Sequence, residues 1–208
     1  MDEKKSVKFQ MFAGELCLDL INTLDNRPVP DRRQELVPTY LDLLDWALQA
    51  GGVSPVQHAA LRREAESRPR EASAVRERAV SLRECLYRMF SAIVRNRRAQ
   101  GDDLRTLNTY LGEALAHLEL HPARGGYGLG WPQNAPRLDS VLWPIARSAS
   151  ELLTSDDLKY VRECGDGTCR WLFVDRTKNH SRRWCDMKTC GNRMKARKFY
   201  RRQATPKN

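Results

Sequence analysis

The sequence predicts a mainly α fold: a helical N-terminal domain with one small β-hairpin, then a small C-terminal unit of short strands and one basic helix. Three observations carry this. Apolar residues recur at helical spacing over most of residues 15–153. Two short runs joined across Arg124-Gly125-Gly126 interrupt that pattern as a hairpin would. Two cysteine pairs, Cys164-x4-Cys169 and Cys185-x4-Cys190, then sit among basic side chains in the last forty-five residues.

Taken in order, Phe9 to Phe12 reads as a short strand or an ordered lead-in. Glu15 to Leu24 places Leu16, Cys17, Leu20, Ile21 and Leu24 on one helical face, and Asn26 to Pro30 breaks it. A second helix covers Thr39 to Ala50, with Leu41, Leu44, Ala47 and Leu48 inward and Gly51-Gly52 as its stop. Ser54-Pro55-Val56-Gln57 starts a third, with Ser as N-cap and Pro at the first helical position. The longest helix runs from Ala72 to Gln100 on a stripe of Val75, Ala79, Leu82, Leu86, Phe90, Ile93 and Val94. Asp102 to His117 follows, with Leu104, Leu107, Leu111 and Leu115 inward. The hairpin pairs Leu118–His121 with Tyr127–Trp131, and a last body helix spans Asp139 to Leu153 on Val141, Leu142, Ile145 and Leu152. Thr154 to Asp157 is a short junction, dividing the chain into a body over 1–155 and an appendage over 156–208; its shortness suggests that the two pack together.

Charge singles out the appendage. Of a net charge of +10, residues 159–208 hold fifteen Lys and Arg against four Asp and Glu, a net of +11, so the remaining 158 residues are nearly neutral at −1. Such asymmetry points to a polyanion at one end of the molecule. A solubilising tail would have the same charge without needing a metal scaffold. No apolar leader follows Met1-Asp2-Glu3-Lys4-Lys5, and no eighteen-residue apolar run exists, so the expectation is a cytoplasmic chain with no membrane partner. Cys17 and Cys85 stand singly in apolar helical patterns and read as small hydrophobes. Reduced thiols in a cytosolic chain favour metal over disulfides for the four paired cysteines.

Two short cysteine pairs separated by a loop place four thiolates around one tetrahedral Zn²⁺. The sequence therefore assigns Cys164, Cys169, Cys185 and Cys190 as ligands of a single structural zinc in a treble-clef-like finger. A redox dithiol or accidental clustering is the alternative. Four cysteines close the coordination sphere, which argues against catalytic zinc; His180 is a loop residue rather than a ligand. Gly165 and Gly167 fall where the first knuckle needs tight turns. Trp171 to Val174 has strand propensity and supplies most of the small core. A unit of about forty-five residues scarcely stabilises itself by burial, so the metal contributes much of its folding free energy. Metal loss should then unfold the C-terminal unit only.

The stretch Cys164…Cys169-Arg170-Trp171-Leu172-Phe173-Val174-Asp175, then Asn179, Arg182-Arg183-Trp184-Cys185 and Cys190-Gly191-Asn192-Arg193, resembles the CGNR zinc-finger family. Phe12-Ala13-Gly14-Glu15-Leu16-Cys17-Leu18-Asp19-Leu20-Ile21-Asn22-Thr23 is similar to the ABATE domain that accompanies such fingers. Together these resemblances imply a bacterial, stress-induced transcription regulator that binds DNA.

Candidate contacts follow from the basic helix after Cys190. Arg193, Arg197 and Arg201 form one row, and Lys195, Lys198 and Arg202 a second; Asn192, Ala196 and Phe199 between them should pack toward the zinc core. Arg182 and Arg183 add charge from the preceding loop. Each of these eight cations can neutralise a phosphate; the alternative for any one of them is to offset zinc–thiolate charge or pair with acidic residues of the body. Duplex DNA is the leading partner. RNA or a ribosome-associated role is the alternative, with Trp184 and Tyr200 as the stacking residues it would need; a protein adaptor leaves the charge surplus. A homodimer is compatible with the small footprint of one finger. Glu15, Asp19 and Asn22 share one side of the first helix and could line a pocket for a small effector, or form an ordinary solvated or capping face. No nucleophile–base pair, phosphate loop or paired catalytic carboxylates occur, so no enzyme is expected.

Overall fold

The computed structural model describes residues 8–132 and 137–204. The lysine-rich start of the chain, on which the expectation of no leader rests, lies outside the described residues. Seven helices are present among those described: α1 (Leu16–Ile21), α2 (Tyr40–Gln49), α3 (Pro55–Ser67), α4 (Pro69–Val94), α5 (Gly101–Ala116), α6 (Trp143–Thr154) and α7 (Asn192–Ala204). Three antiparallel two-stranded ladders join them: β1 (Leu24–Asp25) with β2 (Gln34–Glu35), β3 (Glu119–Ala123) with β4 (Gly126–Gly130), and β5 (Val161–Glu163) with β6 (Leu172–Val174). The architecture is mainly α, as expected. No described helix is long and apolar enough to cross a membrane.

Local chemistry explains most helix starts. Thr39 and Ser54 each close a capping box, with Asp42 and Gln57 respectively. Pro55 and Pro69 occupy first turns, where a missing N–H costs nothing. The short α1 lies against α4 and α6, and its Cys17 amide donates to Ser148 Oγ of α6 at 3.2 Å. Cys17 and Cys85 are both fully buried among apolar neighbours.

Several expectations need correction. Of the two readings of Phe9 to Phe12, the ordered lead-in holds and the strand does not; the Phe9 amide donates to Gln49 Oε1. α1 ends at Ile21, because Leu24 and Asp25 enter the β1–β2 ladder. That ladder is tied to α4 by Arg83, buried in the core, whose guanidinium donates to both Glu35 carboxylate oxygens at 2.7 Å and to Thr23 Oγ1 at 3.0 Å. In α2 the inward residues are Tyr40, Leu43, Leu44, Trp46 and Ala47, while Leu41 and Leu48 are half-buried. α4 stops at Val94, followed by left-handed Asn96 (φ 54°). On α5 the buried face is Asp103, Leu107, Tyr110 and Ala114, leaving Leu104 and Leu115 exposed. The helix is turned by Asp103, which accepts from Arg88 Nη2 of α4 at 2.6 Å; an acid drawn to its partner outweighs the alignment of two leucines. The hairpin forms as expected, one residue shifted, with Gly125 left-handed at φ 86° and with Leu120, Tyr127 and Leu129 exposed.

The appendage does pack on the body. Val161, Leu172 and Val174 belong to the same apolar cluster as α1, α4 and α6. The Val174 amide donates to the Ala13 carbonyl at 2.8 Å, which extends β6 along the lead-in segment.

Candidate metal centre and basic surface

β5 runs into the first knuckle and β6 leaves it, so one hairpin carries Cys164 and Cys169 at its tip. The knuckle closes through the Cys169 and Arg170 amides, which donate to the Asp166 carbonyl, and through the Cys164 amide, which donates to the Trp171 carbonyl. Its left-handed residue is Arg170 (φ 57°), not Gly165 or Gly167. Gly165 serves a different need. Its amide donates to the Arg183 carbonyl at 2.8 Å, and a Cβ there would stand 3.1 Å from that oxygen, too close for comfortable packing of the two cysteine loops. The second knuckle is a single π-helical turn, Met187–Gly191, capped by Asp186, which accepts from the Thr189 amide at 2.7 Å. It delivers Cys190 to the foot of α7.

The four sulfurs lie within 4.8 Å of one another, and all four residues are buried. Cys169 to Cys185 and Cys185 to Cys190 are each 3.6 Å. Tetrahedral zinc with bonds of about 2.3 Å requires sulfurs roughly 3.8 Å apart, so the donor set fits the ion. The thiol contacts themselves call for a cation. Hydrogen bonding among the sulfurs pushes Cys164 down and Cys169 and Cys185 up, because four touching thiols share protons and cannot all ionise alone. The four cysteines form a zinc-binding site. Phe173, fully buried, and Trp171 pack beside it. His180 is not among them: its ring stacks on Tyr160 at 3.7 Å, and its Nδ1 lies 2.8 Å from the Asp175 carbonyl.

The predicted cations divide into two groups. Arg193 and Arg197 turn inward to Asp166, a fully buried carboxylate inside the first knuckle. Arg197 donates to Oδ1 at 3.0 Å; Arg193 stands 3.1 Å from Oδ2 as an ion pair and bonds Thr168 Oγ1 at 3.3 Å. Arg182 is also internal. Its guanidinium lies 4.3 Å over the Phe173 ring and donates to the carbonyls of Phe12, Trp184 and Cys185. Arg183, Lys195, Lys198, Arg201 and Arg202 are exposed, as is Arg197 despite its ion pair. The first five border a cleft of about 650 Å³, together with Arg197, Trp184 and Met194.

The face of α7 is thus the reverse of that expected from periodicity. Asn192, Ala196 and Phe199 point to solvent, with Phe199 58 % exposed. The cause is electrostatic: a carboxylate without water needs cations, and that need outweighs burial of one alanine and one phenylalanine.

Glu15 and Asn22 meet the appendage, and Asp19 the lead-in segment, rather than a cavity. Glu15 pairs with Arg176, which also donates to the Gly14 carbonyl at 2.8 Å and reaches Asp157. Asp19 accepts from the Ala13 amide at 3.1 Å. Asn22 is buried against β6. The sequence reading missed Asp166 and Arg176 as organising residues; the only advance signal was an acid lying inside a basic cysteine knuckle.

A family model described as "Putative stress-induced transcription regulator" (ABATE) matches residues 14–156, and the CGNR zinc-finger model matches residues 160–203. No curated protein matches the chain. Because the first match spans more than half of the sequence and the second coincides with the cysteine cluster, the chain belongs to the ABATE family and carries a CGNR zinc finger.

Proposed function

We propose that this protein is a DNA-binding transcription regulator, in which zinc is structural and α7 with the Arg183 loop supplies the contact surface. One observation carries the reading: Arg183, Lys195, Lys198, Arg201 and Arg202 are exposed around one cleft, which Arg197 also borders. Phosphate neutralisation by such cations supplies most of non-specific affinity. The role is non-catalytic, since the four-sulfur site leaves zinc no open position for substrate. The chain acts inside the cytoplasm on this reading, as a monomer or a homodimer.

The sensing part of the proposal moves away from Glu15, Asp19 and Asn22, which are engaged at the body–finger seam. A cleft of about 630 Å³ between α2, α3 and α4, bordered by Tyr40, Asp45, Arg62, Ala72 and Arg76, is the better candidate for a small effector.

The test uses the full chain loaded with zinc and a 20-base-pair duplex of mixed sequence. Lys195→Ala with Lys198→Ala should weaken binding and lower the slope of log affinity against log salt by about 1.8, two phosphates' worth. Zinc content should hold at one per chain. Unchanged binding would remove this surface from the reading.

A further inference from the structure

With Arg193 and Arg197 held by Asp166, the flank of α7 that bears Phe199 is presented to solvent, and Tyr200, on the Arg193 side one residue further along, is exposed as well. Phe199 and Tyr200 are 58 % and 68 % exposed, with ring centroids 5.7 Å apart at an interplanar angle of 74°. An edge-to-face pair covers only one face of one ring, so broad aromatic surface stays open. Two adjacent exposed aromatics are an unfavourable outer surface for a helix with no partner, and periodicity alone would have hidden Phe199.

The surroundings say what partner suits them. Between residues 193 and 202 there are six cations and no acid. Lys195, Lys198, Arg201 and Arg202 are exposed on the same helix as the aromatic pair. Charge complementarity therefore selects a polyanion, and the aromatic faces select one that offers flat apolar rings between its charges. An intact duplex does not, since its bases stack on each other and show only their edges and backbone. Unpaired nucleotides do, and aromatic residues interleaved with cations are the recurring means of holding them.

We propose that Phe199 and Tyr200 stack on unpaired bases, so that α7 takes single-stranded nucleic acid, or an unpaired stretch within a longer target, in preference to an uninterrupted duplex. This rests on the nucleic-acid reading above and deepens it by naming the form of the target. Lys195, Lys198 and Arg202 track the backbone while the two rings accept bases.

Fluorescence anisotropy on the zinc-loaded full chain tests this with three labelled probes at one salt concentration: a thymidine 20-mer, a uridine 20-mer and a 20-base-pair duplex. The single strands should bind more tightly than the duplex. Phe199→Ala with Tyr200→Ala should reduce single-strand affinity at least about tenfold, leaving the salt slope and duplex affinity nearly unchanged. Both side chains are exposed, so folding and zinc content should survive; zinc stoichiometry and circular dichroism check that. Tighter duplex binding that depends on Lys195 and Lys198 but not on the aromatic pair overturns this inference and leaves the DNA reading standing. Absence of binding to any of the three probes overturns both.

Discussion

Asn22 of α1 holds the backbone of Leu172 in β6 from both sides: its Nδ2 donates to the Leu172 carbonyl at 2.9 Å and its Oδ1 accepts from the Leu172 amide at 3.0 Å. All of these groups are buried, and the two residues lie 150 positions apart. A side-chain amide imitates a neighbouring strand here, closing the inner edge of the finger's hairpin against the body.

Asn22→Ala leaves a buried amide and a buried carbonyl without partners. Each such group costs about 1–3 kcal/mol, so global stability should fall by roughly 2–6 kcal/mol. Urea denaturation followed by circular dichroism measures it; a loss below about 1 kcal/mol would mean that water replaces the side chain.

Metal removal should reach beyond the finger. Val161, Leu172 and Val174 sit in the body's apolar cluster, so the effect of zinc loss is expected to extend past the C-terminal unit. Chelation, or Cys190→Ser, should lower the midpoint of the body's thermal transition as well. Tryptophans in the body (Trp46) and in the finger (Trp171) report together by fluorescence. A body transition indifferent to chelator would show that the shared core tolerates loss of β5 and β6.

Asp166→Asn tests the ion pairs that orient α7. The neutral amide still accepts from Thr168 but holds two guanidiniums weakly. Zinc stoichiometry should stay at one, while amide hydrogen exchange along residues 192–204 accelerates. The guanidiniums left behind are 39 % and 41 % exposed and can turn to water, so the loss should be about 1–2 kcal/mol in all, read as faster opening of the helix rather than unfolding. Protected amides in the variant would place the anchoring of α7 in the π-helical turn instead.

Asp19 gives a pH signature. Burial pushes its carboxyl up to about 6 from an ordinary value near 3.8, the Ala13 amide opposing and the Glu15 charge adding to the rise. A raised carboxyl favours the protonated native state. Its contribution is therefore complete below about pH 4 and is lost as pH climbs through 6. Asp19→Asn retains an acceptor for Ala13 and should stabilise the protein at pH 7 by on the order of 1–3 kcal/mol, with a flatter profile between pH 4 and 6. An unchanged profile would mean that water reaches the carboxyl.

Much of the fold was legible because its signals are local. Capping boxes at Thr39 and Ser54 involve residues three apart, and the ladder of Leu82, Leu86 and Phe90 needs only helical geometry. What failed did so where a distant charge intervened. Leu104 and Leu115 face out because Asp103 turns toward Arg88, and β1–β2 exists because Arg83 of α4 grips Glu35. Neither partnership has a sequence spacing by which it could be anticipated.

The same division holds at the site. By its sequence alone this chain specified four cysteines in two short pairs, hence a closed zinc site, and a concentration of positive charge after it. Those are properties of ligand chemistry and of net charge, which do not depend on how the chain is packed. Only the tertiary structure decided which cations serve the finger and which face outward. Asp166 lies 31 residues before Arg197, and a buried carboxylate, deprived of water, holds Arg193 and Arg197 against the finger, where sequence periodicity would have placed Ala196 and Phe199; the same rotation turns Phe199 to the solvent.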